Sequence, residues 1–131
     1  ARAHGYGFRF AEYVASANDD VVVIVQAEHK TAVANIDSIV RVPGVDCVLL
    51  GPYDLSASYG KMGQITDPEV TAGIELITTA CQAAGIPLGY FGVTADAVKP
   101  YAEQGYTLLV AGVDVLFLGG GARKMMKDLQ S

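Results

Sequence analysis

The sequence predicts an α/β fold built on a parallel sheet, and three observations lead to this class. Continuous β-branched runs, such as the one beginning at Val21, are typical of strands buried on both faces. Apolar residues spaced three and four apart, as in Val33, Ile36 and Val40, are typical of helices that pack one face on a sheet. Strand-like and helix-like segments alternate, which favours right-handed crossovers. The length of 131 residues suits one domain, so residues 1–131 are expected to form a single unit.

The first half of the chain predicts an opening helix, two strands and the helix between them. Residues 8–17 favour a helix that ends near the polar segment SANDD. The apolar run at 21–26 predicts the first strand, and the apolar stripe that follows predicts a helix over 30–41, which VPG at 42–44 terminates. Residues 46–51, DCVLLG, predict a second short buried strand.

The longest predicted helix begins at Asp67, which can cap it, with Pro68 in its first turn. Gly85 is a suitable C-terminal cap, and Pro87 confirms the stop. The predicted buried stripe of this helix consists of Val70, Ile74, Ile77, Cys81 and Ala84.

The last part of the chain predicts two more strands, at 86–91 and 107–112, separated by a helix over 94–104. Pro100 is expected to kink that helix, because proline removes a backbone hydrogen bond. A terminal helix is predicted over 121–130. The preceding segment, VDVLFLGGG, is compatible with a fifth strand or an irregular turn.

Composition excludes several classes of function. The formal net charge is -5, and the nine Lys and Arg residues form no cluster, which argues against a nucleic-acid-binding surface. No apolar run approaches the roughly 18 residues of a membrane span, and the first ten residues lack the apolar core of a signal peptide. Cys47 and Cys81 lie in apolar stretches without metal-binding spacing, which favours buried free thiols in a cytoplasmic protein. Because the chain starts with Ala rather than Met, we expect it to begin inside a longer gene product.

Polar residues follow the first two predicted strands where buried strands would end. Gln26 and Glu28 share one face, since residues two apart on a strand point the same way. Asp54 stands just past the second strand, after a tight turn at Gly51 and Pro52 that aims backbone N–H groups into the same space. The carboxyl ends of parallel strands are where α/β folds place their active sites.

Each acid also has a purely structural explanation. Glu28 could pair with a distant Arg or Lys, and Asp54 could cap a turn or short helix. Two acids on adjacent strand ends, with Gln26 beside them, nevertheless favour a divalent-metal site over either explanation. The absence of converging His or Cys indicates a hard cation such as Mg²⁺ or Mn²⁺. His29 points to the opposite face and is not expected to be a ligand.

Around VQAEH and GVDCVLLGPYDLSASYG the sequence closely resembles the HpcH/HpaI aldolase family, which are class II pyruvate-dependent aldolases on a TIM barrel. The resemblance extends from ARAHGYG through PEV, AGIPLGYF and LLVAGVD. It implies a parallel (β/α) TIM-barrel type of fold, of which this chain supplies the C-terminal half, about four βα units. A complete barrel has eight strands and about 250 residues.

The resemblance also implies a chemistry and a set of site residues. Glu28 and Asp54 would be the ligands of a divalent cation (Mg, Mn or Co) and Gln26 would contact the bound keto acid. Backbone amides of Tyr53 and Asp54 would hold the substrate carboxylate, and Phe91 would cover the substrate. The implied activity is that of an aldolase, or carbon–carbon lyase, which joins a 2-keto acid such as pyruvate to an aldehyde through the pyruvate enolate.

The sequence departs from the family pattern in three ways. The catalytic arginine and the histidine–aspartate base system lie in the first half of the family barrel and are absent from this chain. Tyr53 is bulkier than the Ala or Ser common at its position, and GGGARK replaces a more ordinary helical segment.

A half barrel has two open sheet edges, so we expect the chain to pair with a missing N-terminal half or with another copy of itself. The family forms hexamers, which also favours an oligomer.

Two other functions stay open from the sequence alone. One is a non-catalytic half-barrel subunit, or pseudoenzyme, that keeps the metal ligands. The other is a phosphate-binding barrel that uses the glycines at 119–121. Of the seven tyrosines, Tyr53 and Tyr90 are expected to lie nearest the site.

Overall fold

Four parallel strands form one open sheet in the computed structural model, which describes residues 1–130. The strands are β1 (Ile24–Ala27), β2 (Cys47–Leu50), β3 (Leu88–Gly92) and β4 (Leu108–Ala111). They lie in the order β1-β2-β3-β4, and each neighbouring pair is parallel. The predicted fold class is therefore confirmed.

Helices precede the first strand, connect the strands and follow the last one. The helices are α1 (Phe10–Asp20), α2 (Lys30–Ala34), α3 (Ile36–Ile39), α4 (Pro52–Ser58), α5 (Pro68–Ala84), α6 (Ala95–Glu103) and α7 (Asp114–Gln130). A short 3₁₀ turn, Gly5–Gly7, precedes α1.

Capping residues set the ends of the two best-predicted helices. The Asp67 carboxylate accepts a 2.9 Å hydrogen bond from the Glu69 amide and caps α5. Gly85 ends α5 in the left-handed conformation, with φ 67°. Thr94 caps α6 by accepting a 3.2 Å bond from the Ala97 amide, and α6 continues through Pro100.

The hydrophobic core lies between the sheet and the helices on one of its faces. Val48 and Leu50 of β2 are fully buried there, together with most of the apolar stripes predicted for residues 30–41 and for α5. In α5 four of the five predicted stripe residues are buried, whereas Ala84 is exposed. The buried residues of the predicted stripes are Val33, Ile36, Val40, Val70, Ile74, Ile77 and Cys81.

The first strand is shorter and more exposed than predicted. It begins at Ile24 rather than Val21, and residues 21–23 are exposed. The Val23 amide donates a 2.7 Å hydrogen bond to the Asp46 carboxylate, and the Val23 carbonyl accepts a 3.0 Å bond from the Asp46 amide, just before the strand ladder begins. The prediction that β1 is buried on both faces was wrong, because within residues 1–130 only its helix-facing side is covered. Within the same residues β1 is also an edge strand of the sheet.

Three helical predictions also need correction. The helix expected over 30–41 is divided at Asn35, whose side-chain amide donates to the Thr31 carbonyl at 2.8 Å, a local bond that competes with regular helix geometry. The segment 113–121 is neither strand nor irregular turn. Its amides at Leu116 and Phe117 donate to the Val113 carbonyl and start α7, which includes the glycines. The opening helix runs from Phe10 to Asp20, after the 3₁₀ turn, rather than over 8–17.

Both cysteines are free and buried, as predicted. Burial raises the pKa of the Cys47 thiol, and burial together with nearby Cys47 raises the pKa of Cys81 to about 11. In the part of the chain that the structure describes, no helix combines the length and the hydropathy needed to cross a bilayer.

Candidate active site

A cavity of about 390 Å³ opens at the carboxyl ends of the strands, which is the size range of small-molecule sites. Six of its lining residues are the predicted site residues Gln26, Gly51, Pro52, Tyr53, Asp54 and Phe91. The structure adds Val93 and Val113 to them.

The β1–β2 side of the cavity is polar. Glu28 is not among the lining residues, but its side chain lies against the same turn as Gln26. A Cβ atom built on Gly51 would lie 2.9 Å from Gln26 Nε2, 3.0 Å from Glu28 Cβ and 3.1 Å from Glu28 Oε2. Gly51 has φ -106°, so it is needed here for space rather than for an unusual backbone conformation. The absence of a side chain at Gly51 thus allows the amide of Gln26 and the carboxylate of Glu28 to lie together.

Asp54 approaches the same region from α4. Gly51 is the N-cap residue of this helix, Pro52 is its first residue and Asp54 its third, so Asp54 does not act as the cap. The amides of Tyr53 and Asp54 belong to the first turn, where helix geometry provides no intrahelical acceptor. The turn therefore offers a carboxylate and free N–H groups side by side.

Within residues 1–130 neither acid has a charged partner. Glu28 is a partly buried residue and Asp54 an exposed one, and neither takes part in an ion pair or a side-chain hydrogen bond within residues 1–130. The salt-bridge explanation of Glu28 finds no support in this part of the chain.

The donor set fits a hard divalent cation. It consists of the carboxylates of Glu28 and Asp54, and Mg²⁺ commonly uses one or two protein carboxylates with substrate and water oxygens completing its shell. No group of three or more His, Cys, Asp and Glu residues suited to a metal occurs among residues 1–130, so this chain by itself offers a two-carboxylate site. His29 has a structural role, since its Nδ1 accepts a 3.1 Å bond from the Thr31 amide and caps α2.

The β3–β4 side of the cavity is apolar. Phe91 points to the same sheet face as Gln26, because the register aligns Gln26 with Leu49 and Gly89, two residues before Phe91. Val93 follows two residues later and Val113 lies beyond the end of β4. Sequence reasoning missed both valines, although continuing the two-residue periodicity past Phe91 would have found Val93.

Tyr90 was expected near the site but lies on the opposite face. It packs in the helix-side core, where its ring stacks on Tyr101 with centroids 3.5 Å apart. Burial, and hydrogen bonding to Tyr101, raise the pKa of Tyr90 well above its usual value. Residues alternate faces along a strand, so Tyr90 and its neighbour Phe91 cannot both face the cavity.

Ser56 is a further residue that the sequence did not single out. It is fully buried in α4, its hydroxyl donates a 2.6 Å hydrogen bond to the Tyr53 carbonyl, and it accepts a 3.0 Å bond from the Gly63 amide. Ser56 therefore ties the first turn of α4 to the loop that follows the helix.

Comparison with known proteins assigns the chain to a family. The family model for HpcH/HpaI aldolase/citrate lyase matches residues 1–119. The chain belongs to this family. Among curated HpcH/HpaI relatives, the 2-dehydro-3,6-dideoxy-6-sulfogluconate aldolase of Pseudomonas putida is 38% identical over 129 residues, which are 98% of this chain and 50% of the relative. The hydroxypyruvate/pyruvate aldolase of Paraburkholderia phytofirmans is 33% identical over 130 residues, which are 99% of this chain and 50% of that relative.

The same relationship holds in three dimensions. A crystal structure of an HpcH/HpaI aldolase/citrate lyase family protein from Burkholderia cenocepacia aligns with a TM-score of 0.89 and 36% identity, covering 100% of this chain and 51% of that one. The chain thus spans about half the length of the HpcH/HpaI relatives it matches. These alignments confirm a TIM-barrel type of fold of which the four βα units here form about half.

Proposed function

We propose that this chain carries the metal and keto-acid site of a divalent-metal-dependent aldolase, a carbon–carbon lyase that acts on a 2-keto acid through the enolate of pyruvate. One observation carries the proposal most directly. The carboxylate of Glu28, a partly buried residue, lies beside Gln26 over Gly51, at the start of the helix that bears Asp54, and no cationic side chain of residues 1–130 pairs with it.

The site residues would have four roles. Glu28 and Asp54 would hold the cation, Mg²⁺, Mn²⁺ or Co²⁺, and Gln26 would donate its amide to the keto acid. The first-turn amides of Tyr53 and Asp54 would bind the substrate carboxylate. Phe91 would cover the substrate from the β3 side. When bound, the cation would supply Lewis acidity to the keto acid, which favours the enolate.

The names of the relatives support this assignment. They include hydroxypyruvate/pyruvate aldolases and 4-hydroxy-2-oxo-heptane-1,7-dioate aldolases. A non-catalytic subunit is not favoured, because the relatives that match this chain are named as aldolases. A phosphate site at residues 119–121 is not supported, since these glycines lie within α7 rather than in a loop at its start.

The exposed apolar residues of α7 and the open edge of β1 support a further part of the proposal. We propose that another half-barrel, from the same or a second chain, covers them.

The test is a retro-aldol assay with Mg²⁺, Mn²⁺ or Co²⁺ on the protein expressed from its complete reading frame, combined with metal titration by calorimetry. Glu28→Gln and Asp54→Asn should each abolish metal-dependent cleavage and weaken metal binding, because each removes one of two charged ligands.

Matched controls are available on the same chain. Glu103→Gln changes an exposed glutamate in α6, and Asp37→Asn changes an aspartate that lies, like Asp54, in the first turn of a short helix. Both controls should retain activity. Metal-dependent cleavage that survives Glu28→Gln and Asp54→Asn would refute the assignment.

A further inference from the structure

The two sides of the cavity differ in polarity, and the strand order sets the difference. Gln26 and Glu28 come from the β1 end of the sheet, whereas Phe91, Val93 and Val113 come from β3 and β4 at the other end. Tyr53 stands between them, on the turn that follows β2. A substrate that spans the cavity therefore meets oxygen and nitrogen donors at one end and hydrocarbon at the other.

At the apolar end, residues 1–130 supply hydrocarbon walls from Phe91, Val93 and Val113. Tyr53 lines the same cavity and is 41% exposed as a residue. Its side chain therefore presents aromatic surface that a ligand in the cavity can contact.

Resting on the aldolase function proposed above, we infer that Tyr53 determines acceptor specificity and that the preferred acceptor is an aldehyde with an aromatic or branched apolar substituent. In the addition direction, C3 of pyruvate loses a proton and bonds to the aldehyde carbon, and the aldehyde oxygen gains a proton, so no oxidant or reductant is required. The substituent on the aldehyde carbon would lie against Tyr53, Phe91 and Val113. Aromatic side chains select such groups by area and by ring contact.

The experiment compares acceptors on the protein expressed from its complete reading frame, with pyruvate as the donor. Benzaldehyde carries a ring, which acetaldehyde lacks. We expect kcat/KM to be at least about tenfold higher for benzaldehyde than for acetaldehyde, because the ring would pack against Tyr53 and Phe91. Equal values for the two aldehydes would overturn the inference.

Variants of Tyr53 provide the second measurement. Tyr53→Ala should lower the ratio of kcat/KM for benzaldehyde to that for acetaldehyde by about tenfold, and Tyr53→Phe should keep it. The ratio is taken within one preparation, so a partly unfolded variant does not affect it. An unchanged ratio in Tyr53→Ala would refute the assigned role.

Exchange of the pyruvate C3 protons with deuterated water needs no acceptor, so it tests the aldolase proposal separately from the inference about Tyr53. Absence of metal-dependent exchange would refute the aldolase proposal itself. Exchange combined with a flat acceptor profile would refute only the inference about Tyr53.

Discussion

Replacement of Gly51 by alanine is a direct test of how the site is assembled. The backbone at Gly51 has φ -106° and ψ 85°, so alanine brings no left-handed strain. Its methyl group would lie 2.9 Å from Gln26 Nε2 and 3.1 Å from Glu28 Oε2, whereas ordinary contacts begin at 3.4 Å. The Gln26 amide must therefore retreat by about 0.5 Å and the Glu28 carboxylate by about 0.3 Å, or the helix that starts at Gly51 must shift.

The expected cost follows from these displacements. Overpacking of this kind lowers the free energy of unfolding by about 1–3 kcal/mol. Misplacement of reacting groups by an ångström costs about 100-fold in rate, so a shift of half that size should lower kcat/KM by roughly tenfold. Calorimetric metal titration and the retro-aldol assay measure the site, and urea unfolding measures stability.

Gly121→Ala is the control for Gly51→Ala, because nothing lies within 4 Å of its added methyl group and alanine favours a helix interior by up to about 1 kcal/mol. This control should keep activity and lose no stability. Wild-type metal affinity and wild-type kcat/KM in Gly51→Ala would refute the reasoning that Gln26 and Glu28 depend on the empty space at Gly51.

Two further predictions concern the stability of the fold. Ser56→Ala removes the hydrogen bond to the Tyr53 carbonyl and leaves the Gly63 amide without its acceptor. The free energy of unfolding, measured by urea titration, should therefore fall by about 1–3 kcal/mol. An unchanged unfolding midpoint would contradict the role given to the hydroxyl. The hydrogen bond from Lys61 holds the pKa of Asp67 below its ordinary 3.8, so this pair stabilises the fold above that pH, and its contribution is lost as the pH falls through the depressed pKa. Asp67→Asn should therefore lose less stability on acidification than the wild type. Identical pH profiles of unfolding for the two proteins would count against this.

Much of the fold followed from local sequence patterns, because those patterns report burial against the helix-side core. The spacing of Val70, Ile74, Ile77 and Cys81 predicted a buried stripe, and all four are buried. The cap residues Asp67 and Gly85 predicted the ends of α5, since each satisfies backbone groups or adopts a conformation that its type favours.

The errors lie where the determining interaction is not a local pattern. Residues 21–23 have strand propensity, but the strand begins only at Ile24, and the Val23 amide donates to the Asp46 side chain. The segment 113–121 combines a run of strand-favouring residues with three glycines, and neither predicts the continuous helix that the Val113 carbonyl initiates. Propensity is a weak guide when tertiary contacts oppose it.

The candidate site was predictable to the extent that it depends on sheet geometry. The rule that residues two apart share a face placed Gln26 with Glu28, and the rule that active sites lie at carboxyl ends added Asp54. The role of Ser56 was not predictable, because it depends on a bond to Gly63 across a loop whose path the sequence does not specify.

The proposed roles also imply that one end of the cavity can change without affecting the other. Gln26, Glu28 and Asp54 depend on β1, β2 and the tight packing around Gly51, where an added methyl group disturbs Gln26 and Glu28 at once. The amide of Tyr53 lies in the helix backbone, whereas its side chain lines the cavity. A substitution of Tyr53 is therefore expected to leave the backbone donor in place and to change only the wall, whereas a substitution of Gly51 is expected to disturb the proposed metal-binding end. Under the proposed function, substrate range and metal binding would thus depend on Tyr53 and Gly51, two residues of one turn, through physically separate means.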